Sequence, residues 1–391
     1  MPNIARSLNI LDSSMKNIKF TPWRFLLFVI ALHLLGASLS FAASLRETSP
    51  LEASWRMALS GVDSKDSQTA SKYVRFGLEA RSRYHLLPDL YFALDPVMKF
   101  ENGTYQSIDG KREGKNSLSI KEAAAHWNFL KGSDLSAGAL NQSKTHSDLL
   151  VGDQAFPGVR ADVQIFKIGN LQTLVTAEQA IPTSRSLSAN TTGTEATPRF
   201  MSASLAAHYQ TSMYHWKTRI GTYAFENLPT TVAKESGQRG NSVVALTEDE
   251  ALFVYEFQGI EAMTSLRFPM MRGWDFISEA SFLQNNKAES DLSRAYAASI
   301  GSEFFFIGRK SLDVKLTRFR IEPDAAVGYF TSGKYSYTNR AGYSFESFLN
   351  FNKYNVSIGA RYSEADIIYL TPVQSREQTL MLILETSYAA I

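Results

Sequence analysis

The stretch Tyr73-Val-Arg-Phe-Gly-Leu-Glu-Ala-Arg-Ser-Arg-Tyr84 alternates two kinds of side chain with a period of two. Val74, Phe76, Leu78, Ala80 and Tyr84 fall on one face, and Arg75, Gly77, Glu79, Arg81 and Arg83 on the other. Successive side chains of a β-strand point to opposite faces, so the pattern predicts a strand with one apolar and one charged face. A half-buried strand of a soluble sandwich would look the same. Repetition along the chain decides between them.

The pattern recurs. Ala123, Ala125, Trp127 and Phe129 alternate with Glu122, His126 and Asn128. Val159, Ala161, Val163 and Ile165 alternate with Arg160, Asp162 and Gln164. Met201, Ala203, Leu205, Ala207 and Tyr209 alternate with Ser202, Ser204, His208 and Gln210. Trp274, Phe276, Ala280 and Phe282 alternate with Asp275, Glu279 and Ser281, and Val356, Ile358, Ala360 and Tyr362 with Asn355, Ser357, Arg361 and Ser363. Near the end, Leu380, Leu382, Leu384 and Tyr388 share a face. Many stripes begin or end in an aromatic residue, as membrane-interface girdles require.

Short turns are expected at His85–Asp89, Lys131–Ser133, Gly169-Asn170, Thr211–Met213, Gln258-Gly259, Gly308–Lys310, Glu322–Asp324 and Asn352-Lys353. Longer polar loops are expected at Asn102–Asn116, Ser143–Phe156, Ile181–Pro198, Asn227–Glu248, Thr331–Asn339 and Thr371–Arg376. Pro269–Arg272 and Gln284–Asp291 break the short–long alternation. A strand at Leu51–Ser60, with a helical plug over Ser49–Leu59 as the alternative, brings the count to about 18 strands, or 16 if edges are misjudged. It also puts both ends of the chain on the periplasmic side. So many two-faced strands leave half their side chains without a dry partner unless lipid supplies it. The expected fold is therefore all-β, a transmembrane antiparallel up-and-down β-barrel, in a single domain over 43–391.

Residues 1–42 read as a secretory signal. Lys16, Lys19 and Arg24 precede the apolar run Phe25–Leu35, and Ser40 and Ala42 supply the small residues of a cleavage site before Ala43. That run is about 11 residues, short of the roughly 20 that a spanning helix needs. Met15 reads as a second possible translation start. The chain has no cysteine, so an exported form is held by burial and backbone pairing alone. Formal net charge is +2, and the basic leader leaves the remainder at about −1, which excludes a global attraction to nucleic acid.

Lys121-Glu-Ala-Ala-Ala-His-Trp-Asn-Phe129, then Leu135-Ser-Ala-Gly-Ala-Leu-Asn-Gln142, resembles a hairpin of bacterial porins, and Phe156–Ala161 looks like the start of the next porin strand. This resemblance implies an outer-membrane channel for passive diffusion of small hydrophilic solutes or ions, folded by the barrel-assembly machinery. Homo-oligomers are common in that family, although no residue here argues for one. One feature departs from it: outer-membrane barrels usually end in Phe or Trp in phase with the last strand. Ile391 here has the opposite parity to Leu380, Leu382 and Leu384. Either a bulge or a divergent assembly signal is implied.

Strand parity nominates the pore-lining side chains. The bases are Arg56, Arg75, Arg81, Arg83, Arg160, Lys217, Arg219, Lys315 and Arg361. The acids are Glu52, Glu79, Glu122, Asp162, Asp275, Glu279 and Asp313, with His126 among them. Nine against seven is too balanced for strong ion selectivity. Arg75, Arg81 and Arg83 form a local positive ladder, which either orders the lumen or is neutralised by ion pairs within the wall. No catalytic, cofactor or metal constellation emerges. His146-Ser147-Asp148 sits in a loop, Glu248-Asp249-Glu250 reads as a solvated loop end, and His208 and His215 as solvated rim residues. None of His85, His126, His146, His208 or His215 stands two residues before a serine. The expected function is thus a channel; a closed structural or ligand-binding barrel is the alternative, with a barrel hydrolase behind both.

Overall fold

The computed structural model describes residues 50–66, 69–107, 116–182, 195–248, 250–306, 310–371 and 374–390. The expected export signal, its cleavage point and Ile391 lie outside them. The first strands are β1 (Leu51–Lys65), β2 (Thr69–Leu87), β3 (Leu90–Ser107), β4 (Ser117–Leu130) and β5 (Ser133–Asn141). Next come β6 (Ala155–Ile168), β7 (Leu171–Ala180), β8 (Arg199–Gln210) and β9 (His215–Glu226). A helix, α1 (Thr230–Gln238), and a small hairpin, β10 (Val243–Ala245) with β11 (Ala251–Phe253), follow. The chain then returns through β12 (Phe257–Met271), β13 (Trp274–Asn285), β14 (Arg294–Phe306) and β15 (Lys310–Ile321). It finishes with β16 (Arg340–Phe351), β17 (Val356–Ile367), β18 (Glu377–Thr386) and the two-residue β19 (Ala389–Ala390).

Each long strand pairs with its sequence neighbour, β9 pairs with β12, and β18 and β19 pair with β1. The ring is closed: sixteen strands, with β19 as a short continuation along β1. Closure leaves no edge with unpaired backbone groups, the condition for a sheet to live in hydrocarbon.

Sixteen is the lower of the two expected counts, and the difference has two sources. Gln258-Gly259 is not a turn but lies inside β12, where Gly259 pairs with Tyr223 on one side and Asn285 on the other. Glu322–Asp324 opens one long connection, 322–339, and does not turn into a strand. An apolar run such as Ala325-Ala326-Val327 reads alike whether it is a strand or a packed loop, because periodicity alone does not separate them. With both corrected, Arg272-Gly273 falls at the short-turn end and 286–293 at the long-loop end, so neither breaks the alternation.

The apolar stripes face outward. Ile220, Ile300 and Leu382 are more than half exposed, a belt that water would penalise at about 25 cal/mol per Å². Aromatics gather where the belt meets the short turns: Trp274 stacks on Phe304 at 5.7 Å and Trp127 meets Phe129 at 5.9 Å. At the other rim stand Tyr296, Tyr343 and Tyr362. The Ala-Gly step of the porin-like hairpin has a local cause. Gly138 has φ +134°, and a Cβ there would sit 2.3 Å from the Ala123 carbonyl oxygen.

The parity conflict near the C-terminus resolves as a bulge. Ala58 faces Glu385, yet Trp55 faces Ala389, so one extra residue is accommodated between β18 and β19. Tyr388, expected on the apolar face with Leu384, consequently turns inward. Its hydroxyl donates to Glu79 Oε2 at 2.8 Å.

Candidate functional site: the inner wall and its folded-in segments

Two long-end connections fold into the barrel. The first, 142–154, joins β5 to β6. Asn141 caps its opening turn by accepting from Ser143 N at 3.0 Å. Gln142 Nε2 donates to Glu178 Oε1 at 2.6 Å, and Arg160 Nε holds the other oxygen of that carboxylate at 2.7 Å. Farther along, Glu261 on β12 accepts from Ser147 N (2.7 Å) and Ser147 Oγ (2.6 Å) and meets His146 Nδ1 at 2.8 Å. Arg219 Nη1 donates to the Thr145 carbonyl at 3.0 Å. Leu149, Leu150 and Val151 are then fully buried. The tip is thus anchored by charge-assisted hydrogen bonds on one side and apolar contact on the other.

The second segment, 322–339, is held from the residues just after α1 and from β13, where Asn285 Nδ2 donates to the Asp324 carbonyl at 2.8 Å. Asn241 Nδ2 donates to the carbonyls of Pro323 (2.7 Å) and Ala326 (2.8 Å), while its Oδ1 accepts from Gly328 N at 2.7 Å. Arg239 lies between the rings of Tyr329 and Tyr337, at 4.7 and 4.9 Å. The segments meet each other: Gly152 N donates to Phe330 O at 2.8 Å, and Ser332 N to Asp148 O at 3.1 Å. Around them, Phe156, Phe200, Phe225, Phe257, Leu283 and Phe319 form a core inside the barrel. Burial pushes the carboxyls of Asp148 and Asp324 above the usual range, opposed by Lys334 in the first case and by hydrogen bonds from Ser242 in the second. Glu250, expected at a solvated loop end, is instead buried beside α1; Asp249 lies outside the described residues.

The wall along β1–β4 is different. Arg75 pairs with Glu101 at 2.6 Å. Glu79 gathers Arg56 (2.9 Å), Lys121 (3.1 Å) and the Tyr388 hydroxyl. Arg81 stacks on Tyr388 at 3.8 Å and Arg83 lies over Tyr91 at 5.7 Å, and both arginines are exposed. Glu122 is ion-paired with Lys144 and lies 3.3 Å from His126, whose other nitrogen meets Asp134 at 3.0 Å. Tyr91 stacks flat on His126 at 4.7 Å.

The remaining nominated side chains lie on the same inner face in separate places. Asp162 accepts from Thr176, and Arg160 is buried against Glu178. Lys217 is exposed. Asp275 pairs with Arg267 at 2.7 Å, Glu279 with Lys315, and Arg361 with Glu346 at 3.0 Å. His208 faces Lys217 in the register and His215 faces Gln210, and no metal-ligating cluster forms among the described residues. Sequence reading missed several partners: Glu101 for Arg75, Tyr388 for Glu79 and Arg81, and Glu261 for His146. Only Glu101, a charge on the polar face of the next strand, carried a usable signal.

No protein-family profile matches the chain, and no curated protein matches it in sequence. Among solved structures it is similar to OprB of Pseudomonas putida at high pH, with TM-score 0.52 and 11% identity, covering 87% of this chain and 94% of that one. Salmonella typhi OmpF in complex with daunomycin aligns over 85% of this chain and 97% of that one, with TM-score 0.48 and 7% identity. Pseudomonas aeruginosa OccK7 aligns over 88% and 100%, with TM-score 0.43 and 12% identity. At such identity the likeness to OprB is one of fold, and the fold of this chain is the closed barrel of outer-membrane porins.

Proposed function

We propose that the chain is an outer-membrane channel for passive diffusion of small hydrophilic solutes. One observation carries this reading: Arg81 and Arg83 point to the inside of a closed barrel and yet stay exposed. A charged side chain stays unpaired with acid only where water reaches it, because burying it alone costs several kcal/mol. Water along β1–β4 therefore supports a conducting path beside the packed segments. The nominated residues Arg75, Glu79, Arg81, Arg83, Glu122, His126, Arg160, Asp162, Lys217, Arg219, Asp275, Glu279 and Arg361 are its proposed wall. Arg160 and Glu122, each under 5% exposed, act by holding 142–154 in place.

The second reading, a barrel closed to solutes, is favoured by the apolar core that fills the opposite side at the long-loop end. Single-channel recording in planar bilayers separates the two. Discrete conductance steps from the purified protein support the channel, and a silent bilayer supports the closed barrel.

A further inference from the structure

We propose that Ser202, His146 and Glu261 form a nucleophilic relay that hydrolyses small carboxylic esters entering the lumen. The three come from β8, the folded-in segment 142–154 and β12. His146 Nδ1 lies 2.8 Å from Glu261 Oε2, and His146 Nε2 lies 3.3 Å from Ser202 Oγ. A carboxylate at Nδ1 holds the proton there, since the other tautomer would set a lone pair against a negative oxygen. The lone pair of Nε2 then faces the serine hydroxyl, the arrangement a general base needs. Phe200 packs edge-on against the imidazole at 5.2 Å and fixes its plane. His146 and Glu261 are buried, whereas Ser202 is half-buried, so the nucleophile is the reachable end of the relay. Arg219 donates to the carbonyl just before His146, and among the described residues it has no ion-paired carboxylate. It brings positive charge beside the histidine end of the relay.

In the first step Ser202 Oγ attacks the ester carbonyl carbon and its proton passes to His146 Nε2. The carbon–oxygen bond to the alcohol breaks, and the alcohol leaves with that proton. Water, deprotonated by His146, then attacks the acyl-serine, releasing the carboxylic acid and restoring the hydroxyl. In the strand register Ser202 stands between Glu178 and Tyr223, both buried.

Anchoring of the segment is a separate task of Glu261, met through Ser147, and needs no hydroxyl at position 202. Ser202→Ala therefore removes the chemistry and spares the anchor. The test treats the full chain in detergent micelles with a fluorophosphonate probe, and follows hydrolysis of p-nitrophenyl acetate; heat-modifiable migration on gels is the folding control. The expected result is a single phosphonylated peptide containing Ser202. Hydrolysis should fall about 100-fold or more in folded Ser202→Ala and in folded His146→Gln. An unlabelled Ser202, or a Ser202→Ala protein that hydrolyses the ester at the parent rate, overturns the proposal.

Discussion

The long-loop end of β6–β9 and β12–β15 and the wall formed by β1–β4 use the same two-faced strand in opposite ways. In the first region the inward positions are Phe156, Phe200, Phe225, Phe257 and Phe319, closed over by 142–154 and 322–339. In the second they are Arg75, Glu79, Arg81 and Arg83, paired with opposite charges or laid on tyrosine rings. Alternation tells which face turns inward. What the inward face holds depends on what folds back against it. An apolar inner position marks a segment packed there, and an exposed charged one marks water.

The largest effect is expected in the packed region. Phe330 is fully buried and touches Phe156 (5.2 Å), Tyr329 (5.2 Å) and Phe225 (5.6 Å). Phe330→Ala should destabilise the folded-in segments by about 3–5 kcal/mol. Hydrogen exchange at Leu149–Val151 and at 325–330 should accelerate while the barrel strands stay protected. Uniform loss of protection across the barrel would show that the inner core and the wall form one cooperative unit.

The next contrast is between the two faces of single strands. Leu205→Arg and Ala280→Arg on the outer belt should each cost about 2–4 kcal/mol in reversible unfolding from lipid. Ser204→Arg and Glu279→Arg on the inner face should be far milder. Equal costs for neighbours would mean that the belt is not in hydrocarbon.

A smaller effect follows from Glu261. Glu261→Gln keeps the shape but weakens three contacts to His146 and Ser147, at about 1.5–3 kcal/mol. It should free 142–154 without moving 322–339, seen as broader current fluctuations in bilayers. An unchanged noise spectrum would deny that the latch holds the segment.

Outer face, strand parity and barrel class were legible because a period of two survives any change of partner. Val74, Leu205 and Ile358 needed no tertiary information. The interior was harder to read. Ala325–Phe330 looks like a strand because burial among loops and burial in a sheet select the same residues. Tyr388 changed faces because a single extra residue inverts parity, and a bulge leaves no mark in composition. His146 and Ser147 were visible as a pair, but Glu261 and Ser202 lie 115 and 56 residues away, joined only by the path of the chain.

The smallest effect is a pH dependence confined to the packed region. Asp148 and Asp324 bind their protons more tightly in the folded chain than in an unfolded one. Stability from this source is present below the ordinary carboxylate range and is lost as pH rises through the raised folded values. Hydrogen exchange at Leu149–Val151 should therefore be slower in mild acid than at neutral pH, after correction for intrinsic rates. Asp148→Asn should flatten that trend; the same slope with and without the carboxyl would assign it elsewhere.

The central claim, that water and solutes pass along the charged wall beside the packed segments, is tested most directly by reversal potentials in a salt gradient. Arg75, Arg81 and Arg83 are replaced together by Ala, and the measurement is made at low ionic strength, where screening is weakest. The account predicts discrete conductance from the parent protein and a shift toward cation preference in the triple variant. Much of the shift should already appear in Arg81→Ala with Arg83→Ala, since Arg75 is neutralised by Glu101. A parent protein that never conducts, or a triple variant with unchanged reversal potential, would contradict it.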